Sequence, residues 1–211
     1  MHKTIFVSGI GTDVGKTVAS AILCRALNAA YWKPIQSGTN VGSDKDTIRE
    51  LAGAEVQIFN EVYSLKEPLS PHTAAELENI EIELNRIQIP EHNSTLIIEG
   101  AGGLMVPITR DYLYSDWLKE LQVPCILVSR HYLGSINHTL LSLSLMRELS
   151  IPILGVLFVG KDNNNNETLI CERFGVQNLG NISETDNVNS AFVLKEAKKL
   201  SQYWNLNKII F

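Results

Sequence analysis

An apolar run, Thr4-Ile5-Phe6-Val7, leads directly into Gly9-Ile-Gly-Thr-Asp-Val-Gly15-Lys16-Thr17, and that loop opens into Val18-Ala19-Ser20-Ala21-Ile22-Leu23. Strand, glycine-bearing loop and a helix starting at Gly-Lys-Thr form the layout of a phosphate-binding loop. Glycines let backbone N–H groups turn toward an anion, the helix N-terminus adds partial positive charge, and Lys16 supplies a full one. Thr17 is placed to give its hydroxyl to Mg²⁺. Residues Gly11, Thr12, Asp13, Val14, Gly15, Lys16, Thr17 and Val18 are therefore the expected cradle for a nucleoside triphosphate. The loop is a variant: the first glycine of the eight-residue motif should fall at position 10, which is Ile, and stands instead at Gly9.

The rest of the chain fits one fold class. Apolar runs at 4–8, 30–34, 95–98, 125–129 and 153–159 read as strands, several without the alternation of a half-exposed sheet, as buried parallel strands do. Helical patterns follow at about 15–29, 45–53, 114–121, 136–149 and 190–203, with another around 168–174 and a possible short strand at 179–182. Alternation of this kind predicts a single-domain α/β protein over residues 1–211: a doubly wound, mostly parallel sheet with helices on both faces, of the P-loop NTPase type. At 211 residues the chain can bury a substantial core.

Charge and cysteine usage narrow the setting. A net charge of −5 argues against a nucleic-acid partner, which favours a basic face. No apolar run reaches the ~20 residues of a membrane helix. The three cysteines, Cys24, Cys125 and Cys171, are odd in number and widely spaced, as suits reduced core thiols. A cytoplasmic protein without a membrane partner is expected.

Three further loops leave the expected carboxyl ends of strands, where ligands gather in such sheets. Lys33-Pro34-Ile35-Gln36-Ser37-Gly38 carries a lysine out of a buried strand. Lysine is rarely buried without a partner, and here it is suited to clamp γ-phosphate charge. Ile97-Ile98-Glu99-Gly100-Ala101-Gly102-Gly103 ends an apolar strand in a carboxylate, the Walker B position that orients Mg²⁺. In Ser43-Asp44-Lys45-Asp46, either aspartate could cap a helix or ligate a metal, and capping is the simpler reading.

Taken in order, GTDVGKT, KPIQSG, an Asp-bearing segment, SPH, IIEGAGG and LGSINH resemble the dethiobiotin synthetase family from the first strand to about residue 160. The early glycine is itself similar to that family's loop. The resemblance implies an ATP-dependent ligase in which 7,8-diaminononanoate takes up CO₂ as a carbamate. ATP then phosphorylates the carbamate, and the second amine closes the ring. It implies Lys16 and Lys33 as the catalytic charges and Thr17, Asp46 and Glu99 around Mg²⁺. Ser37 and Ser70 would lie near the substrate. Gly134, Ser135 and Asn137, at a helix N-terminus, would cradle the substrate carboxylate across a homodimer. Where family members that prefer ATP commonly carry an adenine-reading Asn, this chain has Phe158-Val159-Gly160-Lys161. A ParA-like nucleotide switch acting on a protein partner is the alternative. Such switches often add a lysine early in the loop, and residues 9 to 14 contain none.

Overall fold

A computed structural model describes residues 3–161 and 163–209. In chain order its elements are β1 (Thr4–Gly9), α1 (Lys16–Leu27), β2 (Ala30–Trp32), β3 (Ile35–Gln36), α2 (Asp44–Ala52), β4 (Ile58–Phe59), β5 (Tyr63–Ser64) and α3 (Pro71–Leu77). After a short 3₁₀ turn at Leu84–Arg86 come β6 (Leu96–Gly103), β7 (Pro107–Thr109), β8 (Tyr112–Leu113), α4 (Tyr114–Leu121), β9 (Cys125–Arg130) and α5 (Ser135–Glu148). The chain continues through β10 (Ile153–Val159), α6 (Asn164–Phe174), β11 (Asn178–Ile182) and α7 (Ser190–Asn207).

Seven strands form one sheet in the order β11-β10-β9-β1-β6-β2-β4, with every neighbouring pair parallel. Both faces are covered, and the alternation along each strand decides which side chain goes where. Ile5 and Val7 of β1, Ile97 of β6, Tyr31 of β2 and Ile126 of β9 pack with residues of α1, α2 and α7. Their sequence neighbours Phe6, Ile98, Trp32 and Cys125 turn to the other face. There Phe6 meets Trp117 of α4 edge-on, with ring centroids 5.6 Å apart. Beyond them Leu127, Val156 and Phe158 pack under α5 and α6. Each large apolar side chain fully buried in this way contributes about 1.5–3 kcal/mol.

The strand order sets up the site. Because β6 lies between β1 and β2, the loop after β1, the end of β6 and the end of β2 stand side by side at one edge of the sheet. Register places Val7 beside Glu99 and Trp32 beside Ile98, so Lys33 leaves β2 level with Glu99.

Several short elements have no counterpart in the sequence pattern. The two-residue strands β3, β4, β5 and β8 are too short for any periodicity to appear. Helix α3 did carry a signal, since Pro71 at its first turn follows Ser70, a common helix start. Helix α6 starts within the asparagine tract, where the Asn163 side chain accepts from Asn166 N–H. That capping preference outweighs the weak helix propensity of asparagine. Near the terminus, Ile209 packs against the α1 side of the sheet. Ile210 and Phe211 lie outside the described residues.

Candidate functional site

A cleft of about 700 Å³ opens at the carboxyl ends of β1, β6 and β2. Its phosphate side is built from Thr12, Asp13, Gly15, Lys16, Thr17 and Val18. The loop's shape rests on two glycines. Gly15 has φ 89°, a left-handed conformation that starts α1 with its N–H groups facing the cleft. At Gly9 an added Cβ would lie 2.6 Å from Val14 Cγ2, so the early glycine of this variant loop is what lets Val14 pack beneath it. Val14 is 2% exposed and packs with the first core cluster. Gly11 accepts a hydrogen bond at its carbonyl from Lys16 Nζ at 2.9 Å. Burial pulls the Lys16 ammonium below its ordinary pKa, and nearby Glu99 opposes that pull.

Opposite the loop, Glu99 is 1% exposed and doubly held. Thr17 Oγ1 donates to Glu99 Oε1 at 2.8 Å, and Tyr31 Oη donates to Oε2 at 3.0 Å. Lys33 Nζ lies 3.6 Å from Oε1 and also pairs with Asp44 Oδ2. Burial alone would lower the Lys33 pKa, but Glu99 and Asp44 outweigh it and hold the ammonium above its usual value. Burial first, and then the Glu99 charge, drive the Tyr31 hydroxyl well above 10.0, so it remains a donor.

Of the two aspartates, Asp44 is brought to this centre and Asp46 is not. Asp46 sits on the outer face of α2 with its side chain 65% exposed. It accepts from Ser43 Oγ at 2.6 Å and Arg49 Nη1 at 2.8 Å. Ser43 is the N-cap, so helical geometry turns the third residue of the first turn back onto the cap and away from the cleft. Asp44, the first helical residue, faces Lys33, and its N–H donates to Gln36 Oε1 at 3.1 Å.

Ser37 and Ser70 both line the cleft. Ser37 Oγ is buried and has no hydrogen-bond partner among the described residues. Ser70 Oγ is 3.1 Å from both His72 Nδ1 and Thr73 Oγ1. Gly134, Ser135 and Asn137 are not brought to this cleft. They form the start of α5, where Gly134 and Asn137 are exposed beside the fully exposed Leu133 and Ser135 is buried. Four contributors went unassigned in the sequence: Tyr31, Gln36, Arg130 and Asp44 as a settled choice. Arg130 donates to the Asp13 carbonyl at 3.3 Å and reaches within 3.6 Å of Glu184. Its only signal was a charged residue ending an apolar strand.

The donors available to a metal are a hydroxyl and carboxylates: Thr17, Glu99 and Asp44. Hard oxygen ligands of this kind suit Mg²⁺. Among the described residues no three His, Cys, Asp or Glu side chains cluster into a metal cage. Few protein oxygens is itself the pattern for Mg²⁺ that keeps waters and shares substrate phosphates.

Sheet order, left-handed Gly15 and the Lys16–Thr17–Glu99 constellation define a P-loop nucleotide-binding protein of the α/β class. A ParA family ATPase from Chlorobium tepidum TLS has the same fold, with a TM-score of 0.60 at 16% identity over 98% of this chain and 99% of that one. A family model described as an AAA domain matches residues 3–191. The ATP-dependent dethiobiotin synthetase BioD of Brucella ovis is 44% identical over 190 residues, 90% of each chain. That of Agrobacterium fabrum is 46% identical over 183 residues, 86% of each. The chain belongs to the ATP-dependent dethiobiotin synthetase family. Among its described helices none is long and apolar enough to cross a membrane.

Proposed function

We propose that this chain uses ATP and Mg²⁺ to close the ureido ring of 7,8-diaminononanoate with CO₂ or bicarbonate, giving dethiobiotin, ADP and phosphate as a cytoplasmic enzyme. The observation that carries the reading is a two-sided cleft. The phosphate loop forms one wall, and Lys33 with the unpartnered Ser37 hydroxyl forms the other. A nucleotide switch needs the first wall only. A synthetase must also hold a second reactant within reach of the γ-phosphate.

Each wall meets a chemical demand. An amine must be neutral to attack CO₂, and the Lys33 charge disfavours its ammonium form. The same charge then stabilises the carbamate anion that forms, while Ser37 Oγ is free to hydrogen-bond the amine or the carbamate. Lys16, released from the Gly11 carbonyl, follows the charge on the transferring phosphoryl group. The carbamate oxygen takes that group to give a mixed anhydride, and the second amine displaces phosphate from the carbonyl carbon. Thr17, Glu99 and Asp44 would hold Mg²⁺, whose chemistry is to neutralise phosphate charge. The exposed start of α5, with Gly134, Ser135 and Asn137, is assigned to the substrate carboxylate of a neighbouring copy in a homodimer. The partial positive charge of a helix N-terminus suits an anion.

The test is phosphate release from purified protein with Mg²⁺ and bicarbonate, with and without the diamine, using ATP, GTP and CTP and weighing the product. Release that requires the diamine, with the mass gain of a ureido carbonyl, is expected. Release indifferent to the diamine refutes the synthetase and points to a switch ATPase.

A further inference from the structure

Tyr31 is a buried aromatic side chain whose hydroxyl reaches the charged centre from beneath, at Glu99. Alternation along β2 turns it to the α1 face, and the register that sets it beside Ile97 brings its ring under the end of β6. Phenylalanine would fill the same space. The hydroxyl is therefore what calls for an explanation, and among the described residues its hydrogen bond goes to Glu99 Oε2 at 3.0 Å. Thr17 and Lys33 both address the other oxygen, Oε1. The two carboxylate oxygens thus have different duties. Oε2 is tied to a fully buried group, and only Oε1 looks toward the phosphate loop.

We propose that Tyr31 is a positioning residue that locks the Glu99 carboxylate into single-oxygen ligation and so makes the site choose Mg²⁺ over Ca²⁺. The inference rests on the reading of Glu99 as a Mg²⁺ ligand. Mg²⁺ demands near-octahedral geometry at short distances, whereas Ca²⁺ accepts bidentate carboxylates and irregular shells. A carboxylate free to turn offers both oxygens to the larger ion. One whose second oxygen is held at 3.0 Å by a buried tyrosine does not.

The test is metal binding, read without turnover. Mn²⁺ binding is followed by electron paramagnetic resonance with a non-hydrolysable ATP analogue, and Mg²⁺ and Ca²⁺ compete for the site in wild type, Tyr31→Phe and Glu99→Gln. Tyr31→Phe should shift the competition ratio at least about five-fold toward Ca²⁺, the ion that tolerates bidentate ligation. An unchanged ratio overturns the positioning role, even if the melting temperature falls, provided Glu99→Gln weakens Mn²⁺ binding. If Glu99→Gln leaves Mn²⁺ binding intact, the metal reading fails and takes this proposal with it. A second measurement does not depend on the folding of Tyr31→Phe. The infrared difference spectrum on adding Mg²⁺ and the analogue to wild type should carry the wide carboxylate splitting of single-oxygen ligation, absent in Glu99→Gln. A narrow, bidentate splitting overturns the proposal.

Discussion

Replacing Lys33 with methionine keeps most of the side chain's length and removes the cation that stands between Asp44 and Glu99. Lys33 is 7% exposed, and its Nζ lies 3.6 Å from Glu99 Oε1. With an effective dielectric near 20, the attraction to that carboxylate alone is about 4–5 kcal/mol. Desolvation of the ammonium cancels part of it, but taking one partner from a buried ion pair costs about 3–5 kcal/mol net, because the other charge stays behind. Asp44 is 26% exposed at its side chain and can turn toward water, which places the expected loss at the low end, about 3 kcal/mol. The assay is guanidinium denaturation of wild type and Lys33→Met in EDTA and again with Mg²⁺. The variant should be destabilised in EDTA, and Mg²⁺ should restore more stability to it than to wild type, since a cation that binds only the folded state stabilises it. Because Glu99 and Asp44 hold the Lys33 pKa above its ordinary value, the difference should stay flat across neutral pH. A variant as stable as wild type in EDTA would refute the argument, since it would mean that the carboxylates were never forced together.

Two further predictions use other parts of the molecule. Asp44→Asn should raise the Mg²⁺ concentration needed for half-maximal turnover at least ten-fold, by analogy with the cost of losing a charged partner, about 1.4 kcal/mol or more. Asp46→Asn should leave it within two-fold, and the reverse pattern would restore Asp46 as the ligand. Burial pushes the Cys125 thiol up to about 12 and the Cys171 thiol up to about 11, against 9.0 for an ordinary thiol. The folded chain therefore keeps protons that the unfolded chain gives up, and stability should fall as pH rises from 9 toward 11–12. At pH 8 iodoacetamide should label the cysteines only after denaturation, and rapid labelling of the native protein would refute the burial argument.

How much of this was legible in the sequence depended on the length scale of each signal. The strands at 4–8, 125–129 and 153–159 and helix α4 were plain, because continuous apolar runs and helical periods of eight residues or more announce themselves. The phosphate loop and Glu99 were legible because glycine and charge sit at fixed offsets from a strand. Asp44 and Asp46 were not separable, since a two-residue difference on a helix is a rotation of about 200°, and only the position of the Ser43 cap decides which one faces inward. Tyr31 stayed hidden because its contact with Glu99 depends on β6 lying beside β2, a long-range fact that no local pattern carries.

The alternation in β2 has an evolutionary consequence. Tyr31 and Lys33 serve the charged centre, while Trp32 between them fills the opposite core. Inserting or deleting a single residue here would swap the two assignments, sending an indole toward the charged centre and a phenol and an ammonium into an aromatic cluster. The strand's length is thus closed to drift, although each position could still accept a different side chain. The turn at Val41, which is 83% exposed, carries no such constraint, and length variation among relatives should collect there.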